Sequence, residues 1–325
     1  MALRQTQMVV DEVTRLNPGV QCRIEVIKTT GDRISEEPPV GSGGYASGQK
    51  SRSIGDKGLF VKEIELALLA GEIDFAVHSA KDLPSDMDER LCIAAFPERE
   101  CPADALVSRR GGLMDLPKGA KVGTSSLRRR AQILAARPDI EIVDLRGNLD
   151  TRLRKLDEGC CDAVILACAG LVRMGLASRI TQELPYEICL PAVGQGALAI
   201  QCRTGDPACG AIAKLDSRMT RACVTAERAL LRRLGGGCQT PIAALAQVDG
   251  GVLRLEALVA AIVGGYASGK KASRSIVDVV RKSANGDLGS PEELGRQLAE
   301  ELLDSPAKQL LEAARDGVPP NIGAA

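Results

Sequence analysis

The sequence predicts an α/β protein of three domains, and three observations lead to this prediction. The chain has 325 residues, which is more than one hydrophobic core usually serves. Apolar and β-branched runs of strand length alternate with stretches of helical spacing, a pattern typical of parallel sheets with helices on both faces. Two segments, PEREC at 97–101 and LPAVGQG at 190–196, have the character of crossings between domains.

The individual elements follow from the spacing of the apolar residues. The stretch 61–72 predicts a helix that Gly71 ends. The stretch 148–159 predicts another, with Asn148 as N-cap and Gly159 as stop. The predicted strands are 20–27, 73–79, 120–125, 140–147, 162–170 and 196–202.

The two crossings define the expected domains. The first domain is expected to comprise residues 1–96 and 196–214, because the strand after the second crossing would rejoin it. Residues 101–190 form the second domain and residues 218–325 the third. The third begins with the helix TAERALLRRL and ends in a helix near PEELGRQLAEELLD, which predicts a small α/β domain.

Composition excludes several classes of function. The 42 basic and 42 acidic residues cancel, which argues against a general nucleic-acid binder. Aromatic residues supply 2% of the chain and Trp is absent, so platforms for stacking bases or sugars are not expected. The sequence contains no apolar run of membrane-spanning length and no signal-peptide pattern at its start, which predicts a cytoplasmic protein with no membrane partner.

The cysteines predict packing rather than metal binding. The chain has 11 of them, but it contains no C-x-x-C pair, and the adjacent pair Cys160-Cys161 suits neither a zinc site nor a simple disulfide framework. The single histidine, His78, excludes a His-rich site and is itself expected to be structural. We therefore expect no metal, and we expect most cysteines to be small buried side chains, with Cys168 and Cys202 in buried strands.

A short segment occurs twice. GGYASGQKSRSI at 43–54 nearly recurs as GGYASGKKASRSI at 264–276. The copies are too short and too isolated to be solenoid units, and their Gly, Ser and Lys content is typical of loops. We expect both to be surface insertions.

A basic cluster is the densest charge signal in this neutral chain. From Thr124 to Lys155 there are eight basic residues against four acidic ones. Hydroxyls at the end of a strand, followed by arginines in the first turn of a helix, would form an anion site at the edge of a sheet where ligands bind. The alternative is a solvated basic face. The candidate residues are Thr124, Ser125, Ser126, Arg128, Arg129, Arg146 and Arg152.

Two further stretches carry reactive side chains. FAVHSAKDLP at 75–84 places Ser79, Lys81 and Asp82 at the end of a strand, where Asp82 is either half of a surface ion pair or an active-site carboxylate. GDKGLF at 55–60 adds Lys57 on a Gly-flanked loop.

Three glycines precede Cys238 in LGGGCQTPI at 234–242 and leave the backbone bare around it. His78 is the only histidine, so no Asn-His pair is available to build a cysteine-protease triad, and covalent attachment of a group to this thiol fits better than turnover by a Cys-His dyad.

Taken together, these motifs resemble the porphobilinogen deaminase (hydroxymethylbilane synthase) family. The resemblance covers nearly the whole chain, and the motifs occur in the family's order. They are KGLFVKEIE, DFAVHSAKDLP, VGTSSLRRRAQI, LRGNLDTRL, LPAVGQGALAI, TAERALLRRL and GGGCQTPI.

The resemblance implies a fold and an activity. The fold would be three α/β domains, the first two like periplasmic binding proteins with mixed, mostly parallel sheets, in a monomer. The enzyme would join four porphobilinogen units into hydroxymethylbilane with release of ammonia, in tetrapyrrole (porphyrin, heme) biosynthesis. It would use a dipyrromethane cofactor held on Cys238 through a thioether, with Asp82 as the catalytic carboxylate. The implied cofactor contacts are Lys81, Asp82, Thr124, Ser125, Ser126, Arg128, Arg129 and Arg146, and the implied substrate contacts are Arg152, Arg129, Lys57 and Ser79.

The sequence departs from the family pattern at its start. The family begins with a strand and a T-R-x-S-x-L-A segment, whereas Met1 stands here where that segment ends. We therefore expect an in-frame upstream extension ending in a G-T-R-x-S-like stretch. Two other hypotheses stay open at this point: a non-catalytic anion-binding protein of periplasmic-binding-protein fold, and an inactive, truncated homologue.

Overall fold

The computed structural model describes residues 1–27, 61–236, 240–263 and 276–316, which form three sheets with helices packed against them. The strands are β1 (Phe75–Ser79), β2 (Leu91–Ala95), β3 (Asp104–Ser108), β4 (Lys121–Gly123), β5 (Glu141–Val143), β6 (Ala163–Ala167), β7 (Gln182–Glu183), β8 (Leu198–Arg203), β9 (Ile242–Asp249), β10 (Val252–Val263) and β11 (Ile276–Asp287). The helices are α1 (Ala2–Leu16), α2 (Lys62–Ala70), α3 (Leu127–Ala136), α4 (Leu149–Asp157), α5 (Cys168–Arg173), α6 (Ala208–Ile212), α7 (Arg218–Arg233), α8 (Pro291–Leu303) and α9 (Ala307–Asp316).

The first unit is built on the sheet β1–β8–β2. Side chains of β8 alternate between two buried clusters: Ile200 packs with Val9 and Val13 of α1, whereas Ala199 packs with Val61 before α2. The sequence predicts mostly parallel pairs, but every described pair in this sheet is antiparallel. The reason is that β8 returns from the second unit and runs opposite to both of its neighbours.

Several of the predicted strands differ from the structure: those predicted over 120–125 and 140–147 are shortened to β4 and β5, and two others differ in kind. Residues 20–27 form no strand, because no described segment pairs with them, and a strand is defined by its ladder of hydrogen bonds to a neighbour. The strand predicted over 162–170 ends at Ala167, and Cys168 begins α5 instead. Cys168 is nevertheless fully buried, as expected.

The second unit contains the sheet β5–β4–β6–β3–β7. β4 runs parallel to β5 and β6, and β3 runs antiparallel to β6 and β7, so this sheet is mixed as predicted.

The predicted helix ends are also confirmed. Asn148 caps α4 by accepting a hydrogen bond from the Thr151 backbone N–H at 2.9 Å. Gly71, in the left-handed region with φ 73°, ends α2.

The third unit is an antiparallel sheet, β11–β10–β9, covered by α7, α8 and α9. Helices α7 and α8 touch through their backbones at Gly295. A Cβ placed on Gly295 would lie 2.2 Å from the carbonyl oxygen of Ala226. The small α/β unit expected at the end of the chain is therefore present.

Two crossing segments, between β2 and β3 and between β7 and β8, connect the first and second units. They run beside each other, with the Glu100 N–H donating to the Gly196 carbonyl at 3.2 Å. Gly196 has φ 87°, and a Cβ there would lie 2.2 Å from the Glu100 carbonyl oxygen, so only glycine fits. Two α/β units joined by paired crossings, with a small third unit, agree with the predicted fold class.

Glu227 of α7 binds both crossings. Its fully buried carboxylate accepts hydrogen bonds from Arg99 Nη1 at 2.6 Å on the first crossing and from the Gly194 N–H at 2.6 Å on the second. A third bond comes from the Ala246 N–H at 2.8 Å, in β9. One side chain of the third unit therefore holds the place where the other two units meet.

The repeated GGYASG segments at 43–54 and 264–276 lie outside the described residues, apart from Ile276, which begins β11. In the parts of the chain that the structure describes, no helix combines the length and apolar character needed to cross a membrane.

Candidate functional site

A cavity of about 220 Å³ lies where the three units meet. Residues 80–85 of the first unit form one wall, and the start of α3 in the second unit forms another. The second crossing and the third unit complete the lining. The lining residues are Ala80, Lys81, Asp82, Leu83, Pro84, Ser85, Ser126, Arg128, Arg129, Ala192, Val193, Gln195, Arg228, Leu231, Gly236, Thr240 and Ile242.

A short 3-10 turn after β1, spanning Ala80–Asp82, positions Lys81 and Asp82. The turn is held by its first residue, because Ala80 is buried and its N–H donates to the Ala197 carbonyl at 3.0 Å. Pro84 then prevents continuation as a helix. The two charged side chains therefore line the cavity from a fixed backbone, as the sequence predicts for a strand-end cluster.

The Asp82 carboxylate has no hydrogen-bond partner among the described residues, and its side chain is open to solvent in the cavity. Protein nevertheless surrounds it on most sides. The loss of surrounding water raises the pKa of Asp82, and the neighbouring Lys81 charge partly opposes this rise. The same partial desolvation lowers the pKa of Lys81, against the attraction of Asp82. Within the part of the chain that the structure describes, Asp82 is thus an acceptor without a donor, inside a cationic cavity.

Asp104 at the start of β3 holds the two cavity arginines. One carboxylate oxygen accepts from Arg128 Nη1 at 2.7 Å, and the other accepts from Arg129 Nη2 at 2.6 Å and Nε at 3.0 Å. The Gln195 amide donates to the same carboxylate at 2.9 Å, and the Cys189 thiol donates at 3.2 Å. All five side chains are buried, so this network fixes both guanidinium groups.

Electrostatics favour the ionised form of Asp104. Burial alone would raise the pKa of Asp104, but the charges and hydrogen bonds of Arg128 and Arg129 outweigh it and hold this pKa below its usual range. One carboxylate therefore faces two guanidinium groups, which leaves an excess of positive charge at the cavity wall. A carboxylate or phosphate group of a ligand would neutralise this excess positive charge.

The three predicted hydroxyl residues have different positions. Ser126 caps α3, accepting from the Arg129 N–H at 3.4 Å, and lines the cavity. Thr124 and Ser125 are not in the lining. The Thr124 hydroxyl accepts from the Ser126 N–H at 3.2 Å, and the Ser125 hydroxyl donates to the Leu145 carbonyl at 2.7 Å. Both side chains shape the turn that presents Ser126 and Arg128.

Three other predicted contacts lie outside the cavity lining. Arg146 is exposed and pairs with Asp144 at 3.2 Å. Arg152 is half-buried and donates to the Gly147 carbonyl at 2.8 Å, and its burial and the nearby charge of Arg129 lower its pKa. Ser79 donates to Gln5 of α1 at 3.4 Å.

Lys57 and Cys238 lie outside the described residues. The residues on either side of the Cys238 segment, Gly236 and Thr240, both line the cavity.

Several residues of the site were missed by sequence reasoning. These are Asp104, Gln195 and Arg228, the last of which lies on α7 and donates to the Pro84 carbonyl at 2.7 Å. An acidic residue at the start of the apolar run DALVS, and an arginine within TAERALLRRL, are signals that could have indicated them.

Arg173 on α5 is a further buried arginine close to the crossings. It donates to the Gly196 carbonyl at 2.7 Å, and burial lowers its pKa.

His78 is structural, as expected. Its imidazole is buried and lies 3.0 Å from Gln201 Oε1, away from the cavity lining. Burial lowers the pKa of His78 to about 4, although the hydrogen bond to Gln201 opposes this effect.

The fold and the site together define an α/β protein with a cationic cavity between its units, in which Asp82 has no hydrogen-bond partner among the described residues and two arginines are fixed by Asp104. Residues 1–211 match the family model described as porphobilinogen deaminase, dipyromethane cofactor binding domain, and residues 221–304 match the porphobilinogen deaminase C-terminal domain. The chain therefore belongs to the porphobilinogen deaminase family, which confirms the resemblance found in the sequence.

Curated relatives agree with this assignment. The chain is 49% identical to the porphobilinogen deaminase of Pelotomaculum thermopropionicum, over 97% of this chain and 94% of that protein. It is 47% identical to the porphobilinogen deaminase of Pelobacter propionicus, over 96% of this chain and 93% of that protein. The likeness to a solved probable amino-acid ABC transporter extracellular-binding protein, ytmK of Bacillus subtilis, has a TM-score of 0.36 at 12% identity, over 65% of this chain and 79% of that one.

Proposed function

We propose that this protein is a transferase that joins four porphobilinogen units head to tail into hydroxymethylbilane, in porphyrin and heme biosynthesis. The observation that carries the proposal is the Asp82 carboxylate, which has no partner among the described residues and lies in a cavity walled by Lys81, Arg128 and Arg129. Family membership and the full-length relatives support the same activity. A non-catalytic binding protein would need the cations but not this carboxylate.

The residues fit a dipyrromethane cofactor attached to Cys238. The cofactor bears acetate and propionate groups, and the cavity offers Arg128, Arg129 and Lys81 to receive carboxylates. Gly236 and Thr240 line the cavity, and covalent connectivity limits how far Cys238 can lie from them. When bound, the cofactor supplies the free pyrrole position from which the product grows.

Asp82 acts on the charge that develops during each addition. The C–N bond of the porphobilinogen aminomethyl group breaks and ammonia leaves. A C–C bond then forms to the pyrrole of the growing chain, and a pyrrole carbon loses its proton. Positive charge spreads over the pyrrole nitrogens during these steps. A carboxylate that accepts hydrogen bonds from the pyrrole N–H groups stabilises this charge electrostatically. Hydrolysis by water of the bond between product and cofactor would then release the tetrapyrrole.

The cations hold the growing polyanion. Arg128 and Arg129 are fixed by Asp104, so they bind carboxylates without first losing conformational freedom. Arg152, Lys57 and Ser79 remain proposed contacts for substrate. Thr124, Ser125 and Arg146 remain proposed contributors to the cofactor site.

The organisation of the protein is part of the proposal. We infer that the three units correspond to domains at 1–96 with 196–214, at 101–190 and at 218–325, in a cytoplasmic monomer that binds neither nucleic acid nor membrane. The near-neutral charge balance supports the absence of nucleic-acid binding.

Intact-mass measurement tests this function. The protein should carry the added mass of one dipyrromethane, consume porphobilinogen and release one ammonia per unit. Cys238→Ser should lose both the adduct and turnover. Cys160→Ser, at an exposed cysteine outside the cavity lining, should keep both. An unmodified chain that binds porphobilinogen without consuming it would identify a binding protein and refute the proposal.

A further inference from the structure

A second cluster of reactive side chains lies near the start of β3, outside the cavity lining. The ligand atoms of Cys101, Cys168 and Glu183 all lie within 4.8 Å of one another. The Cys101 thiol points to Glu183 Oε2 at 3.9 Å. Within the described ranges, this is the group in which three cysteine, histidine or acidic side chains come close enough to share one metal ion.

The topology of the second unit brings these residues together. Cys101 lies on the first crossing just before β3, Cys168 follows β6, and Glu183 lies on β7. β6 and β7 pair with β3 on its two sides. The end of β6 and the residues of β7 therefore lie beside the first residues of β3. The ligands are distant in sequence, which is why their spacing does not suggest a metal site.

Backbone hydrogen bonds hold the cluster in place. The Cys168 N–H donates to the Ala103 carbonyl at 3.0 Å, and the Cys101 N–H donates to Glu100 Oε1 at 2.8 Å. The Pro102 carbonyl between them accepts from Gln195 at 2.8 Å. Because the backbone is fixed by these bonds, the two sulfur atoms need little ordering to act as ligands.

The three residues differ in burial, and the cluster is open to solvent on the side of Glu183. Cys168 is fully buried, Cys101 is half-buried and Glu183 is exposed. A cation could therefore enter along the carboxylate and be held by sulfur beneath it.

The spacing suits a small thiophilic cation. Tetrahedral zinc, with Zn–S of about 2.3 Å and Zn–O of about 2.1 Å, requires separations of about 3.8 Å between sulfurs and about 3.6 Å between sulfur and oxygen. The Cys101–Glu183 separation of 3.9 Å is already close to this value. Two sulfurs and one carboxylate leave the fourth position for water, as in open zinc sites.

We propose that Cys101, Cys168 and Glu183 form a binding site for Zn²⁺ or a cation of the same soft divalent class. On binding, the two thiols release their protons to solvent, and the metal takes two thiolates, one carboxylate and a water. The bound ion ties the first crossing to the second unit. This inference does not depend on the proposed catalytic function.

Metal binding to the full-length protein tests the site directly. Zn²⁺ affinity is measured by competition with a chromophoric chelator, in the presence of a phosphine that keeps the thiols reduced. Cd²⁺ binding is followed by the thiolate-to-metal charge-transfer absorbance. The wild type should bind one ion per chain with both thiolates. Cys101→Ala and Glu183→Gln should each weaken binding by more than about tenfold, because even outer-shell changes cost about 10–100-fold.

Matched controls come from other thiols. Cys92 and Cys209 have sulfurs 3.9 Å apart in the first unit, and Cys160 is exposed in the second. Cys92→Ser and Cys160→Ser should bind as the wild type does. Zn²⁺ should raise the Tm of the wild type but not of Cys101→Ala, by preferential binding to the folded chain. Unchanged affinity in Cys101→Ala, or loss of binding in Cys92→Ser instead, would overturn the site.

Discussion

Removal of the Asp82 carboxylate breaks no hydrogen bond with another described residue. Its carboxylate makes no hydrogen bond to the described residues, so Asp82→Ala should fold with near wild-type stability. Turnover of porphobilinogen should fall by at least about a hundredfold, as expected when a positioned electrostatic group is lost.

The matched control for this substitution is Asp86→Ala. Asp86 is exposed, lies outside the cavity lining and pairs with Arg232 at 3.4 Å. Ammonia release should be unchanged in this variant. Near-normal turnover in Asp82→Ala would exclude Asp82 from the mechanism.

His78 should make stability depend on pH. Burial lowers the pKa of His78 to about 4 from its ordinary 6.5, so between these values the unfolded chain binds a proton that the folded chain does not. Stability is therefore complete above pH 6.5 and falls as the pH drops toward 4. Between pH 7.5 and 5, the wild type should lose about 2 kcal/mol more unfolding free energy than His78→Gln.

Urea unfolding at the two pH values measures this difference. Because His78 is the only histidine in the chain, the NMR signals of its ring are also unambiguous. They should remain those of neutral imidazole down to about pH 5. Equal pH dependence of the two proteins would show that His78 is not desolvated.

At the residue scale, sequence reasoning found the charges but not their partners. Lys81 and Asp82 were predicted because a strand end followed by proline is a local signal. Arg128 and Arg129 were predicted from charge density, but their shared partner Asp104 becomes their neighbour only when β3 packs beside α3. Likewise, the sequence places Arg146 at a strand end without indicating that its side chain points to solvent.

At the scale of elements, Gly295 controls the contact of α7 with α8. In Gly295→Ala, the new Cβ would meet the Ala226 carbonyl oxygen at 2.2 Å, and backbone atoms cannot move aside as side chains do. The helices must separate, which should cost about 1–3 kcal/mol of unfolding free energy or more.

Thermal and urea unfolding test this cost against Gly210→Ala in α6. A Cβ on Gly210 meets nothing within 4 Å, so this control should be neutral or more stable by about 0.5–1 kcal/mol. If both variants unfold alike, the close approach of the two helices is not present in solution.

Elements defined by local signals were predicted well, and those that need a partner were not. The caps at Asn148 and Gly71 are visible in sequence because they satisfy the ends of their own helices. Residues 20–27 alternate as a strand does, but alternation reports a half-buried surface and cannot supply a neighbouring strand. The direction of β8 depends on the return crossing, which is a property of the whole chain.

For the whole molecule, the loss of Glu227 should lower stability because this residue joins the three units. Its carboxylate is fully buried and pairs with Arg99 at 2.6 Å, and Arg99 is itself mostly buried. Glu227→Gln leaves that guanidinium without its counter-charge and should cost about 3–5 kcal/mol.

The exposed pair Arg233–Glu300, also at 2.6 Å, gives the comparison. Glu300→Gln should cost no more than about 1 kcal/mol, because both side chains are solvated. Urea unfolding of the two variants separates the buried contact from the exposed one. A small loss in Glu227→Gln would mean that the crossings hold together without it.

Because Glu227 binds both crossings, the third unit is attached to the segments that join the first and second units. Gly236 and Thr240, which flank the Cys238 segment, belong to that same unit. If the first and second units moved apart at the crossings, the third unit would have to move as well. The positions of Gly236 and Thr240 therefore depend on how the first and second units are set at the crossings.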